Sequence, residues 1–104
     1  MRFLATSTSK HLTPPEMVVG LIEAMQGWIQ HWTEAGKFEY SWSSAGINAG
    51  GAIINVDSLE ELDEILAGFP FGPFSEIQVT PIVDLIPSLE RSKAVVLQAM
   101  EQMG

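Results

Sequence analysis

"KFEYSWSSAGINAGGAIINV", residues 37–56, runs from an alternating segment through glycines into an apolar one. Phe38, Tyr40 and Trp42 alternate with Glu39, Ser41 and Ser43, the period of two that a strand with one apolar and one polar face requires. Gly46, Gly50 and Gly51 then bracket a turn able to use positive φ, and Ala52 to Val56 resume an extended apolar pattern. The stretch reads as a hairpin. On this reading Phe38, Tyr40 and Trp42 fill a core, while Glu39, Ser41 and Ser43 line the opposite side of the sheet.

Helical patterns flank the hairpin. In "LTPPEM" (12–17) Thr13 is placed to cap a helix, with Pro14 at its first position and Glu16 closing a capping box. Val18, Leu21, Ile22, Met25, Trp28 or Ile29, and Trp32 then recur at helical spacing until Gly36, a helix of about five turns. In "DSLEELDEILAGF" (57–69), Ser58 and Glu61 form a second capping box ahead of the stripe Leu59, Leu62, Ile65, Leu66 and Phe69.

Two further strands frame these elements. Residues 2–8 read as a first strand, and "MRFLATSTSK" (1–10) lacks the sustained apolar run and cleavage site of a secretory signal. "PFGPF" (70–74) breaks the second helix, and "SEIQVTPIVD" (75–84) gives a fourth strand whose Pro81 belongs at a sheet edge or ladder end. From Pro87 to about residue 102 a third helix carries Leu89, Val96, Leu97, Met100 and Met103 on one face.

The order strand, helix, strand, strand, helix, strand is the ferredoxin-like βαββαβ arrangement, an α+β fold with a four-stranded antiparallel sheet, here followed by an extra C-terminal helix. At 104 residues this is one domain spanning 1–104, large enough to fold without disulfides or metal. Helices cover only one face of such a sheet. The other face needs either the C-terminal helix or a second copy of the chain, and a homodimer through the sheet is the economical solution.

Composition narrows the partners. With 13 acidic against five basic residues the formal charge is −8, so phosphate backbones and anionic membranes are repelled and no nucleic acid partner is expected. No apolar run approaches the roughly 20 residues that cross a bilayer, so no membrane partner is expected and a cytoplasmic location is the default. The chain has no cysteine, which removes disulfides, thiolate metal sites and cysteine nucleophiles. Its two histidines lie far apart, outside any HxH or HExxH spacing, so no metal site is expected. The glycines at 46, 50 and 51 lie between strands and do not form a phosphate loop, and no serine sits in GxSxG.

Between Gly36 and Val79 the chain resembles the muconolactone isomerases, small enzymes of aromatic-acid degradation in the dimeric α+β barrel superfamily. The residues that carry the likeness are Gly36, Trp42, Ala45 and Gly46, then "NVDSLEELDEIL" (55–66) and the prolines of "FPFGPF", Pro70 and Pro73. The "MRFL" strand and the Lys10 loop match more loosely. The resemblance implies a homodimer with sheets facing each other around a cavity, in a homo-oligomer that can be an assembly of dimers. It also implies proton-transfer chemistry on a small cyclic or aromatic-derived ligand, with no cofactor. Where the family's second strand has basic side chains on either side of its tryptophan, this chain has Glu39 and Ser43. A lactone carboxylate needs cationic donors, so a substrate other than muconolactone is expected.

Candidate catalytic groups are Glu39, a base if the cavity buries it, and His11 in the loop after strand one, able to act as acid or base near neutral pH. Ser41, Ser43, Asn55, Gln78 and Thr80 occupy the polar phases of their strands and are candidate ligand donors, with Trp42 a candidate stacking surface. Each residue also fits a purely structural role in a sheet, loop or core. Two other functions suit the same barrel: a cofactor-free oxygenase, and a non-enzymatic ligand-binding or assembly protein.

Overall fold

The strands pair in the order β2-β3-β1-β4, every neighbour antiparallel, in a computed structural model that describes residues 1–104. The elements are β1 (Arg2–Ser9), α1 (Pro15–Glu34), β2 (Phe38–Ser43), β3 (Ala49–Asn55), α2 (Leu59–Ala67), a single 3₁₀ turn (Gly72–Phe74), β4 (Ser75–Ile82) and α3 (Leu85–Met103). This is the ferredoxin-like α+β topology that the element order predicts. Pro81 lies on an edge strand, where a missing N–H leaves no gap in an inner ladder.

The core forms between α1, α2 and one face of the sheet. Phe3 and Ala5 of β1, Phe38 of β2, Ala52 and Ile54 of β3, then Val56, Leu62 and Ile65 make the buried cluster, with Trp28, Ile29, Trp32 and Leu66 packed against it. Trp28 meets the Phe38 ring edge-on at 5.1 Å and donates its indole N–H to the Ile65 carbonyl at 3.1 Å. One side chain thus joins both helices to the sheet with its polar atom satisfied.

The two helix starts differ. Ser58 accepts the Glu61 N–H at 3.1 Å as the sequence indicates, while the Glu61 carboxylate accepts the N–H of Asp57, at 3.3 Å, in place of that of Ser58. Thr13, by contrast, does not cap α1. Pro14 occupies the cap position in extended conformation with no side-chain hydrogen bond, and Pro15 is the first helical residue. Consecutive prolines fix φ here and remove one of the donors that a cap would satisfy. Farther along α1, Val18, Leu21 and Met25 are only half-buried and Ile22 is exposed, and Trp28, Ile29 and Trp32, though packed against the core, are half-buried too, so no residue of the stripe is fully buried.

The largest departure from the sequence pattern lies in β2. Phe38 pairs with Ile54, but Tyr40 pairs with Ile53, so Glu39 is an extra residue in a β-bulge. From there on every side chain changes sides. Tyr40 and Trp42 lie on the face away from the helices, opposite Ile53 and Gly51, whereas Ser41 and Ser43 lie on the helix side, opposite Ala52 and Gly50. The expected pattern of a Phe38–Tyr40–Trp42 core is therefore correct only for Phe38. Gly50 and Gly51 do not form the turn either, since both belong to β3 and only Gly46 of the three has positive φ.

α3 starts at Leu85, two residues before Pro87, which sits in the first turn where no intrahelical N–H is needed. It does not cover the sheet of its own chain. None of its residues is buried, and it projects from the body to give a molecule 68 Å long and 28 Å across. The radius of gyration is 18.3 Å, against about 13 Å for a compact chain of this length. No helix is long and apolar enough to cross a membrane.

Candidate functional site

The sheet face opposite the helices carries the polar chemistry. Register fixes its rows: Asn55, Arg2 and Ile82 across one end, then Ile53, Leu4 and Thr80, then Gly51, Thr6 and Gln78, then Ala49, Thr8 and Glu76. Tyr40 and Trp42 extend the middle rows onto β2, with ring centroids 6.1 Å apart and planes inclined by 26°. The face thus has an apolar floor bordered by hydroxyl and amide groups, with an aromatic pair on one side, a composition suited to a small cyclic molecule.

Glu39 meets this face at Arg2, on the side that alternation from Phe38 already gives it. Its Oε2 accepts two hydrogen bonds from Arg2, from Nε at 3.1 Å and Nη2 at 2.9 Å, while Arg2 Nη1 donates to Asp84 at 2.7 Å. Both side chains of the Arg2–Glu39 pair remain about one third exposed. The hydrogen bond with Glu39, then its charge, hold the Arg2 guanidinium above its already high ordinary value, against desolvation. Glu39 Oε1 makes no hydrogen bond within the chain. The pair leaves one carboxylate oxygen fixed in direction and open to a ligand.

Asn55, Gln78 and Thr80 share the face with Glu39, as the strand phases indicate, and Thr6 and Thr8 join them. Ser41 and Ser43 do not, because the bulge turns both to the helix side. Trp42 faces the site, lying over Gly51: a β-carbon there would come within 2.5 Å of the indole. Gly51 is glycine to let the ring lie flat, a close approach and not a turn. His11 stands apart. It is exposed beyond the far end of β1, about 23 Å along the strand from Arg2. Its backbone N–H donates to the Phe74 carbonyl at 3.1 Å.

Arg2 and Tyr40 are the site residues that the sequence pattern does not single out. Arg2 is legible only as a possible partner of Glu39, and Tyr40 is hidden by a bulge that no residue type announces. Beside Arg2, at the root of α3, a pocket of about 380 Å³ is lined by Met1, Asn55, Ile82, Asp84, Pro87 and Arg91 among others. No group of three His, Asp or Glu side chains converges to hold a metal ion.

Residues 1–85, from β1 to the first residue of α3, match the sequence model of the family described as muconolactone delta-isomerase. The chain belongs to the muconolactone delta-isomerase family. A crystal structure of muconolactone isomerase superposes with a TM-score of 0.74 at 24% identity, covering 83% of this chain and 92% of that one. The 5-chloro-2-hydroxyhydroquinone dehydrochlorinase of Burkholderia phenoliruptrix AC1100, solved with 2,5-dihydroxybenzoquinone, superposes with a TM-score of 0.60 at 13% identity, covering 82% and 96%. At these identities the likeness extends to the fold. No curated protein sequence matches the chain. The family match ends at Leu85, the first residue of α3, so the rest of that helix lies outside it.

Proposed function

We propose that this chain is a small isomerase-type enzyme that moves a proton on a neutral, cyclic, carbonyl-bearing molecule, held on the open sheet face and enclosed by the same face of a second copy. The observation that carries the reading is the Arg2–Glu39 pair, a carboxylate fixed through Oε2 with Oε1 free above an otherwise uncovered face. Membership of the muconolactone delta-isomerase family supports the reaction class. In the proposed step Oε1 takes a proton from the carbon next to the carbonyl. Hydroxyl or amide donors such as Thr6, Gln78 and Thr80 hold the developing enolate oxygen, and the proton returns to a different carbon as the double bond shifts.

Charge favours a neutral ligand. Around Arg2 one guanidinium faces two carboxylates, Glu39 and Asp84, so its positive charge is already offset and three of its five N–H groups are engaged. This reading is tested by proton NMR in D₂O with unsaturated lactones and cyclic enones, with and without a carboxylate. Deuterium should enter the carbon next to the carbonyl, faster for the uncharged compounds. Glu39→Gln, which keeps the shape, should slow exchange about 100-fold or more. Exchange that Glu39→Gln leaves intact, or an unaltered wild-type background rate across the panel, would refute the proposal.

A further inference from the structure

α3 is an interaction surface without a partner in its own chain. Leu85, Ile86, Leu89, Val95, Val96, Leu97, Met100 and Met103 are all more than half exposed. An isolated helix of 19 residues is marginal in water, and its stability in proteins comes from packing an apolar stripe. The whole chain exposes 7448 Å², against roughly 5,800 Å² for a compact monomer of its mass. The excess is about twice the ~800 Å² that each partner gives to a standard interface, which leaves area for a helix contact as well as a sheet contact.

The stripe has a coiled-coil period. Ile86, Leu89, Lys93, Val96, Met100 and Met103 are spaced three, four, three, four and three, so they hold alternate a and d positions over two and a half heptads. The geometry points to a second copy of this chain as the occupant, its α3 packed antiparallel against this one. Lys93 decides the direction. In a parallel, in-register pair the two Lys93 ammonium groups would meet at the seam. Antiparallel packing instead sets Ile86 against Met103, Leu89 against Met100 and Lys93 against Val96 of the other copy, where the lysine stem packs and its charge reaches water. Charge agrees: the half of α3 containing Glu90, Arg91 and Lys93 is net positive, and the half containing Glu101 is net negative. A lipid surface is the poorer occupant, since the chain carries −8 and α3 has no basic face.

Beyond Leu85, α3 lies outside the family match, and it contributes neither Arg2 nor Glu39, so it can pair whether or not the sheet face is catalytic. The chain has no cysteine, so single cysteines report contacts cleanly. Full-length Leu89→Cys and Met100→Cys, mixed at about 100 μM with a short bismaleimide, should yield the mixed 89–100 product at least tenfold above either self-product. Val96→Glu in both should cut that yield at least tenfold without changing the unfolding midpoint of the body, and Lys93→Leu should raise it. Self-linking at 89 as strong as the mixed product would overturn the antiparallel arrangement. Absence of any link between copies would mean that α3 folds onto its own sheet or takes another partner, and would overturn the pairing itself. A yield unchanged by Val96→Glu would do the same.

Discussion

Replacing Gly51 by alanine tests the placement of Trp42 on the open face, on which the description of the site depends. Gly51 lies in β3 between Trp42 of β2 and Thr6 of β1. An added β-carbon would come 2.5 and 2.8 Å from Trp42 ring carbons and 2.7 Å from the Ala5 carbonyl oxygen. The ring can swing away, but the carbonyl cannot, because β1 is paired on both sides. The substitution therefore overpacks against backbone, a cost of about 1–3 kcal/mol. At ~4–8 °C per kcal/mol for a domain of this size, the melting midpoint should fall by roughly 5–20 °C. Thermal unfolding followed by circular dichroism and tryptophan fluorescence measures both the loss and the displacement of the indole. Gly72→Ala is the control, since nothing lies within 4 Å of its β-carbon, and it should change stability by less than about 0.5 kcal/mol. A Gly51→Ala midpoint within about 2 °C of wild type would mean that the Ala5 carbonyl does not crowd that position. An indole emission that the substitution leaves unchanged would mean that Trp42 does not cover Gly51.

The two helix starts should respond differently to truncation: Ser58→Ala should cost about 1 kcal/mol and Thr13→Ala less than about 0.5, as read from urea midpoints. Lys37 is held above its ordinary 10.5, first by its hydrogen bond to Glu61 at 2.7 Å and with help from Asp57, against desolvation. A group whose folded value is raised stabilises fully below its unfolded value and loses that contribution as pH rises through the folded one. Wild-type stability should therefore decline above about pH 10.5 more steeply than that of Lys37→Met, and parallel urea midpoints from pH 9 to 11.5 decide this. Finally, Ser41→Ala and Ser43→Ala should leave isotope exchange on the lactone panel unchanged, because both face the helix side, whereas Thr80→Val should slow it. A serine variant as impaired as Glu39→Gln would return those hydroxyls to the site.

Element type and order were legible because they depend on short-range signals. The cap at Ser58, the helical stripe through Trp28 and Trp32, the apolar run of β3 and the alternation of β4 each appear within a dozen residues. The alternation also fixes the phase of Gln78 and Thr80 once β4 pairs with β1, while Asn55 is placed by the pairing of β3 with Arg2. Strand one was harder, since Leu4 interrupts the alternation of Phe3 and Ala5 with polar neighbours. Only pairing shows that Arg2, Leu4, Thr6 and Thr8 share a face.

The βαββαβ order, the antiparallel α+β class and the helix that follows them are thus written in local patterns. The direction of each side chain from Tyr40 to Ser43 and the surroundings of Glu39 come from the packing of distant segments. The alternation Phe38, Tyr40, Trp42 against Glu39, Ser41, Ser43 is unbroken in the sequence, and a bulge leaves no mark in such a pattern, because it arises from how two strands register and not from either one alone. Phe38 is held in the core by Trp28, and Trp42 lies flat only over Gly51, on the opposite face. Both demands are met only if one extra residue stands between them. That residue is Glu39, and across the sheet waits Arg2, 37 positions away in the chain, a separation that no local pattern spans.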